Sequence, residues 1–419
     1  MSARLRDDCF ALPPGVDWTP VDDALARLRE GLTCVTGVES APLARASGRV
    51  LAEDVRALRD NPPAANSAID GYAFAWEALG QIVEDEANLP LQTGRAAAGH
   101  PFKGTVPPGH ALRILTGAEL PQGTDTVVLQ EDARVGAGRV RFQPPRKSGA
   151  NSRGRGEDAR AGEVVLSAGR RIAPEDLARL ASVGVGEVPV RKPLRVAVLS
   201  TGDELVQAGK APTPGSIYDA NRPMLYALIA QFGHETVDLG AQQDRAGTIR
   251  AALDRGAEDA DAILTTGGAS AGDEDHISRL LRNEGTVTTW RIAVKPGRPL
   301  ALGLWNGVPV FGLPGNPVAA FVCALMFARP ALAVMAGQAW PEPLGVTVPA
   351  AFSKAKKPGR REYLRARLTP DGRAEVFHSE GSGLIGGLSW SDGLVELPDG
   401  ALDVKPGTPV RYLPYAALR

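Results

Sequence analysis

Leu194-Arg-Val-Ala-Val-Leu-Ser200-Thr-Gly-Asp-Glu-Leu205 and Ala262-Ile-Leu-Thr-Thr-Gly-Gly-Ala-Ser-Ala-Gly272 decide the reading of this chain. Each is a short, mainly apolar run that stops in a glycine-bearing loop. Between them lie two stretches with helical spacing, Pro223 to Phe232 and Ala246 to Ala257, and a strand-like run Thr236 to Leu239. Strand and helix in turn predict a parallel sheet covered by helices. The pattern continues through a helix near Ile277 to Asn283 and extended runs at Thr289 to Val294, Leu300 to Leu304 and Val308 to Leu313. A buried helix follows Pro317, and the α/β unit ends near Gly337.

Outward from this unit the character changes. On the N-terminal side, Thr19 and Pro20 open an amphipathic helix with Val21, Leu25, Leu28 and Leu32 on one face, and Pro174 to Ser182 reads as a second helix. Between them, Arg59 to Arg155 has short apolar runs such as Ala111 to Leu115 and Thr126 to Leu129, split by Gly and Pro. A β-rich domain inserted into a helical segment is expected. On the C-terminal side, beyond a proline-rich linker at Pro341 to Pro343, strand-like pieces at Gly345 to Val348, Tyr363 to Leu368, Ala374 to Phe377, Leu394 to Leu397 and Val410 to Leu413 predict a small β-barrel or sandwich.

Composition bounds the function. A chain of 419 residues needs two to four domains. With 47 basic and 48 acidic residues, no global field draws it to nucleic acid or a membrane, so anion binding must be local. Cys9, Cys34 and Cys323 share no short spacing, which argues against disulfides and thiolate zinc and for a reducing compartment. The start MSARLRDDCF lacks the apolar stretch of a signal peptide. The longest apolar run, Val318 to Ala328, is expected to stop at Arg329 and Pro330, short of the roughly 20 residues that span a bilayer.

Candidate chemistry sits after the predicted strands, where open α/β sheets bind ligands. The glycines of Gly267, Gly268 and Gly272 around Ser270 let backbone amides approach an oxyanion. Glu204, Asp244 and Asp275 follow three separate strands and together suit a hard cation such as Mg2+, with Lys295 and Arg298 neutralising phosphate. Read one at a time, the same carboxylates are ordinary helix caps or solvated side chains. A second group lies in the β-rich segment, at Asp70, Thr116, Arg153, Arg155 and Asp158. By residue type alone it is a hairpin turn at Asp70-Gly71 and a solvated loop with internal ion pairs. The five histidines lack metal-ligand spacing, and no Ser, His and Asp set declares itself.

Taken in order, NSAIDGYA, RILTGA, NSRGRGED, VAVLSTGDEL, IYDANR, TTGGASAGDED, KPGRP and GLPGNPVAA resemble the molybdopterin molybdenumtransferase family, which includes the E domain of gephyrin. The resemblance spans essentially the whole chain. It implies four domains: an elongated helical/β one from 1–56 and 161–193, an inserted β-rich domain 57–160, an α/β domain of the molybdopterin-binding fold at 194–337, and a C-terminal β-barrel at 338–419. It implies a cytoplasmic homodimer with composite active sites, in which Asp70, Thr116, Arg153 and Asp158 of one subunit face the α/β domain of the other. In that domain Thr201, Glu204, Asp244, Gly267, Gly268, Ser270, Asp275, Lys295, Arg298, Pro314 and Pro317 match the family's motifs, and Arg361 and Ser382 are carried over from the barrel. Two departures stand out. Ala64 and Ala65 replace an aromatic and an acidic residue common in the family, and Arg298 stands where lysine is frequent.

The implied reaction joins molybdate to the dithiolene of adenylylated molybdopterin and releases AMP, with Mg2+ held by Glu204, Asp244 and Asp275. Implied partners are the adenylyltransferase that supplies the pterin and the enzymes that accept the cofactor. Two alternatives differ in class: a phosphohydrolase acting on another adenylylated substrate, and a non-catalytic dimeric scaffold.

Overall fold

The computed structural model describes residues 18–80, 86–267, 276–290, 292–297 and 300–418. At its centre is a six-stranded sheet in the order Glu235–Gln242, Arg195–Thr201, Ala262–Thr266, Val308–Leu313, Ala301–Trp305, Thr286–Trp290. The first four strands run parallel, as the apolar runs predict. Ala301–Trp305 runs antiparallel to both of its neighbours, which corrects the all-parallel expectation. The cause is local: Asn306 and Gly307 both take positive φ, 48° and 83°, so the chain reverses in two residues from Trp305 to Val308. Asn-Gly between two apolar runs is a strong hairpin signal that the alternation of strand and helix obscured.

Chain order against sheet order places a switch point between Arg195–Thr201 and Ala262–Thr266, whose onward connections leave in opposite directions. Their carboxyl ends therefore border an open crevice. Helices Asn221–Gln231, Ala246–Asp259 and His276–Asn283 cover the sheet.

The apolar run after Pro317 does not end at Arg329. Helix continues from Pro317 to Met335, 19 residues, with a π turn over Ala324–Ala328 just ahead of Pro330. A wider turn accommodates a ring that carries no N–H and would crowd the carbonyl four residues back. By length and composition this helix could cross a membrane, but 89% of its apolar window is buried in the protein, as a core helix is.

Segments far apart in sequence pair beside the α/β unit. Val38–Pro42 pairs with Glu187–Arg191 and Val55–Arg56 with Val164–Leu166, over a core from Ala41 to Val190 that includes Leu51, Ile172 and Leu180. Helix Val21–Gly31, grouped with these segments on sequence, packs elsewhere. Its Val21 and Ala24 belong to the large core that joins the α/β sheet, helix Pro317–Met335 and the C-terminal residues Tyr363, Leu394 and Leu413. Asp22 and Arg361 fix it there through two hydrogen bonds of 2.7 and 2.8 Å. Arg361 is thereby a clasp between the helix and the C-terminal domain, with Asp399 as its second partner.

The inserted domain is a six-stranded sheet with its own two cores, around Leu112 and Phe142. The C-terminal domain is β-rich, ordered Val294–Lys295, Arg361–Leu368, Gly393–Leu397, Pro409–Pro414, Val346–Pro349. Its edge strand thus comes from the expected α/β segment. The run read as Thr289 to Val294 is two strands in two different sheets.

His234, just past helix Asn221–Gln231, sets an acid limit. Burial and the nearby Arg171 guanidinium hold its imidazole down to about 4, and Nδ1 is buried without a hydrogen-bond partner. The unfolded chain binds this proton below about pH 6.5 and the folded one only near 4, so stability falls as pH drops through that window. We expect a loss of roughly 1–3 kcal/mol between pH 6.5 and 4 in urea titrations, and a flatter profile for His234→Gln.

Candidate functional site

At the carboxyl ends of the parallel strands lies a cleft of about 590 Å³. Strand Arg195–Thr201 contributes Thr201 and, through its loop, Glu204; strand Ala262–Thr266 contributes Thr266 and Gly267; strand Val308–Leu313 leads into Pro314, Gly315, Asn316 and Pro317. The start of helix Asn221–Gln231 adds Asp219 and Asn221, and the C-terminal domain adds Gly383 and Ile385. Two helices, at Asn221 and Pro317, therefore begin at this cleft. Their dipoles favour an anion between them, although first-turn amides are already used, Arg222 by Asp219 and Val318 by the Ser382 carbonyl.

Gly267 is required by this close packing. With φ at 87°, it sits where a Cβ would be 2.5 Å from the Thr201 carbonyl oxygen and 2.9 Å from its hydroxyl. Only a residue without a side chain lets the two strand ends close on one another. Asn221 ties the other walls together: its Nδ2 donates to Thr266 Oγ1 and to the Gly315 carbonyl, both at 2.6 Å. The opposite atom, Asn221 Oδ1, and Thr201 Oγ1 are buried without partners. Asp219 is also buried, its carboxylate accepting from the Arg222 amide at 3.1 Å and standing 3.3 Å from Arg222 Nε. Uncompensated acceptors beside a cleft suit a ligand that brings donors or a cation. Asp219 and Asn221 were missed as site residues. Reading the helix start at Pro223 left them in a loop, whereas the helix begins at Asn221 with Pro223 in its first turn.

Of the expected α/β positions, Thr201, Glu204, Gly267, Pro314 and Pro317 meet in this cleft. Glu204 is exposed, its carboxylate folded back over Gly202. Asp244 is not among the lining residues, but its loop is adjacent: its amide donates to Asp203 Oδ1 at 3.2 Å. Gly268, Ser270, Asp275 and Arg298 lie outside the described residues. Among the described residues, no three His, Cys, Asp or Glu side chains converge as a metal cage.

Lys295 faces a different cavity, of about 220 Å³, which the C-terminal domain lines with Lys354, Tyr363, Arg365, His378 and Glu380. Its Nζ lies 2.6 Å from Glu380 and 3.5 Å from Glu362, and Lys354 pairs with the same two carboxylates. Two lysines and two glutamates form a closed, charge-balanced ring. The segment around Ser382 divides the two cavities. The Ser382 carbonyl accepts from the Val318 amide at 3.1 Å, Pro317 and Gly383 line the cleft, and Val318 and Glu380 line the second cavity.

The inserted-domain group is organised: Arg153 to Asp158 is largely solvent-exposed, as expected, but Asp70-Gly71 is not a hairpin turn and the loop's ion pair is not internal. Asp70 precedes a strand, Gly71–Phe74, and its Oδ1 accepts from the Thr116 hydroxyl at 2.6 Å and amide at 2.7 Å. Those bonds hold the carboxylate below its usual range. Arg153 bridges to Asn66, Asp158 accepts from Asn61 at 2.8 Å, and Arg155 pairs with Asp60. The partners thus come from the 60–67 segment, rather than from within the loop. Among the described residues, none from the inserted domain lines the α/β cleft of its own chain.

Comparison with known proteins is consistent along the chain. Residues 19–184 match the MoeA N-terminal region (domain I and II), 197–334 a probable molybdopterin binding domain, and 347–415 the MoeA C-terminal region (domain IV). A molybdopterin molybdenumtransferase of Haemophilus influenzae is 35% identical over 402 residues, which is 94% of this chain and 98% of that protein. Molybdopterin molybdenumtransferase 2 of Mycobacterium tuberculosis is 34% identical over 88% of this chain and 92% of its own. The crystal structure of a molybdopterin biosynthesis moeA protein from Pyrococcus horikoshii superposes with a TM-score of 0.83 at 30% identity, covering 95% of this chain and all (100%) of that one. With all three regions matched in order and the fold shared end to end, the chain belongs to the molybdopterin molybdenumtransferase family.

Proposed function

We propose that the α/β cleft binds adenylylated molybdopterin and that the enzyme inserts molybdate into its dithiolene as AMP is released. The observation that carries this reading is the convergence of Thr201, Glu204, Asn221, Gly267 and two helix N-termini on one cleft at the sheet's switch point. Its volume falls within the roughly 300–1,000 Å³ usual for small-molecule sites. Water cleaves the phosphoanhydride bond to give AMP and the pterin's terminal phosphate, and the two dithiolene sulfurs displace oxygens of molybdate, which take up protons and leave as water, with no change in oxidation state. Substrate and oxyanion are both negative, so the site must hold them together against repulsion with oriented dipoles and local cations. The helix starts and the backbone at Gly267 would orient phosphate, and Lys295 would add charge only on leaving its Glu362 and Glu380 partners in the neighbouring cavity.

Magnesium needs no closed protein cage, because it keeps several waters and commonly takes one or two carboxylates plus substrate phosphates. Glu204 would hold it from the cleft wall, with Asp244 and Asp275 as the further expected ligands. The ion would neutralise the phosphoanhydride, while Glu204 fixes its place.

Asp70 would act on the cleft of a partner subunit. Its pre-bonded carboxylate, oriented by Thr116 and remote from its own chain's cleft, suits a positioning group or base that works across a homodimer interface. A cytoplasmic setting fits the two described cysteines, Cys34 and Cys323, which are unbridged. Transient partners would be the adenylyltransferase and cofactor-accepting enzymes.

The test is AMP release from adenylylated molybdopterin, with and without molybdate and magnesium, while cofactor formation is followed. Molybdate-dependent release with cofactor formation is expected. AMP without cofactor would indicate a phosphohydrolase, and neither would indicate a scaffold.

A further inference from the structure

The polar floor of the cleft explains how phosphate is held, but it does not explain the walls. Among the exposed large apolar side chains of the described chain, Ile217 is 57% and Ile385 43% exposed, and both line this cleft. Neither belongs to an apolar core, and they come from different domains. Ile217 lies in a two-residue strand paired in register with Leu205, another lining residue, and two positions before Asp219 on the same face. The next residue, Tyr218, is 49% exposed and also lines the cleft. The Tyr218 hydroxyl donates to the Lys210 carbonyl at 3.3 Å, which ties that ring to the 207–216 loop at the cleft's edge, while Ile217 has no such tether. Ile385 stands on the segment that carries Gly383, next to the helix start at Pro317.

An exposed apolar residue alone means little on a protein surface. Here two branched aliphatic side chains enter one cleft from separate domains, above a floor suited to phosphate. We propose that Ile217 and Ile385 are the specificity residues that clamp a flat, fused heteroaromatic ring of the substrate, the α/β domain covering one face and the C-terminal domain the other. This rests on the reading of the cleft as the phosphate-binding site of the reaction, and it adds which residues recognise the ring. A flat ring gains most from apolar contact on its faces, and that contact tolerates either heterocycle of an adenylylated pterin, adenine or pterin.

The experiment uses the full-length chain and titrates AMP, ribose 5-phosphate and pterin 6-carboxylate, against wild type and Ile217→Ala/Ile385→Ala. Both side chains are exposed, so the thermal melt of the double variant should stay at the wild-type value. Ribose 5-phosphate shares the sugar and phosphate of AMP and lacks the ring. The wild type should bind AMP more tightly than ribose 5-phosphate, and the double variant should lose about tenfold in AMP affinity while its ribose 5-phosphate affinity holds. A tenfold loss confined to pterin 6-carboxylate would support the clamp and assign it to the pterin half. An unchanged preference for ring-bearing ligands in the double variant, or no such preference in wild type, overturns the clamp and leaves the phosphate site intact. Failure of ribose 5-phosphate and AMP alike to bind overturns the clamp together with the reading of the cleft.

Discussion

Asp70→Asn and Glu204→Gln chains, each at least about a hundredfold less active as homodimers, should recover activity when assembled into one heterodimer. The expectation follows from where the two carboxylates sit. Glu204 lines the α/β cleft, whereas Asp70 is held by Thr116 in an inserted domain whose described residues contribute nothing to the cleft of their own chain. If Asp70 serves the partner's cleft, a heterodimer holds one site with both changes and one with neither. Differently tagged chains, co-expressed and purified through both tags, should then show about half the wild-type turnover per dimer. Asparagine keeps an oxygen for the Thr116 donors and removes the charge, so the inserted domain should fold normally and the defect report chemistry. A heterodimer as inactive as its parents would place both residues in one chain's site and end the cross-subunit assignment. A monomeric wild type in solution would end it sooner.

How far the residues announced this arrangement depends on the distance over which each signal acts. Apolar runs such as Ala262 to Thr266 and Val308 to Leu313 are buried on both faces of the sheet, so strand and burial leave the same local pattern and the bounds match. The helix from Pro174 was equally legible, since its first turn carries Asp176, whose carboxylate accepts from the Ala173 amide at 2.9 Å. What failed was partnership. Nothing local at Val294 and Lys295 says that they join the strand Arg361–Leu368 of another domain, or that helix Val21–Gly31 packs under the α/β sheet rather than with 161–193. The candidate site divides the same way. Loops after strands pointed to Thr201, Glu204 and Gly267; Asp219 and Asn221 lie inside IYDANR, a motif that carries the resemblance but whose residues alone suggest no site, and Ile385 enters the cleft through tertiary packing that no spacing encodes. Lys295 shows the converse: a motif position well marked in sequence is engaged by Glu362 and Glu380, two carboxylates more than sixty residues away.

Asp70-Gly71 is the sharpest case, because the dipeptide that signals a hairpin turn lies at the head of a central strand. Gly71 pairs with Ile114 on one side and Leu129 on the other, and its φ is not among the positive ones. Its need for glycine is steric. A Cβ there would stand 1.9 Å from the Val128 carbonyl oxygen and 2.9 Å from the carbonyl carbon, backbone atoms of a neighbouring strand that cannot rotate away. Gly71→Ala should therefore cost upwards of about 3 kcal/mol, the range of severe overpacking, because the strand must separate from its neighbour to admit the methyl group. The damage should stay local. The cores around Leu112 and Phe142 draw only on residues of the inserted domain, and the large core joining the α/β and C-terminal domains contains none of them. Limited proteolysis of Gly71→Ala should cut within the insert at temperatures where the rest of the chain resists, and calorimetry should show the insert's transition moved down apart from the main one. Gly80→Ala is the control: its Cβ would meet only the Glu77 carbonyl oxygen at 3.4 Å, so the insert should melt near its wild-type temperature. Should Gly71→Ala instead lower a single transition for the whole molecule, the insert would be stabilising the cleft-bearing domains directly. The separation of cores that lets Asp70 be presented away from its own chain's cleft would then be wrong.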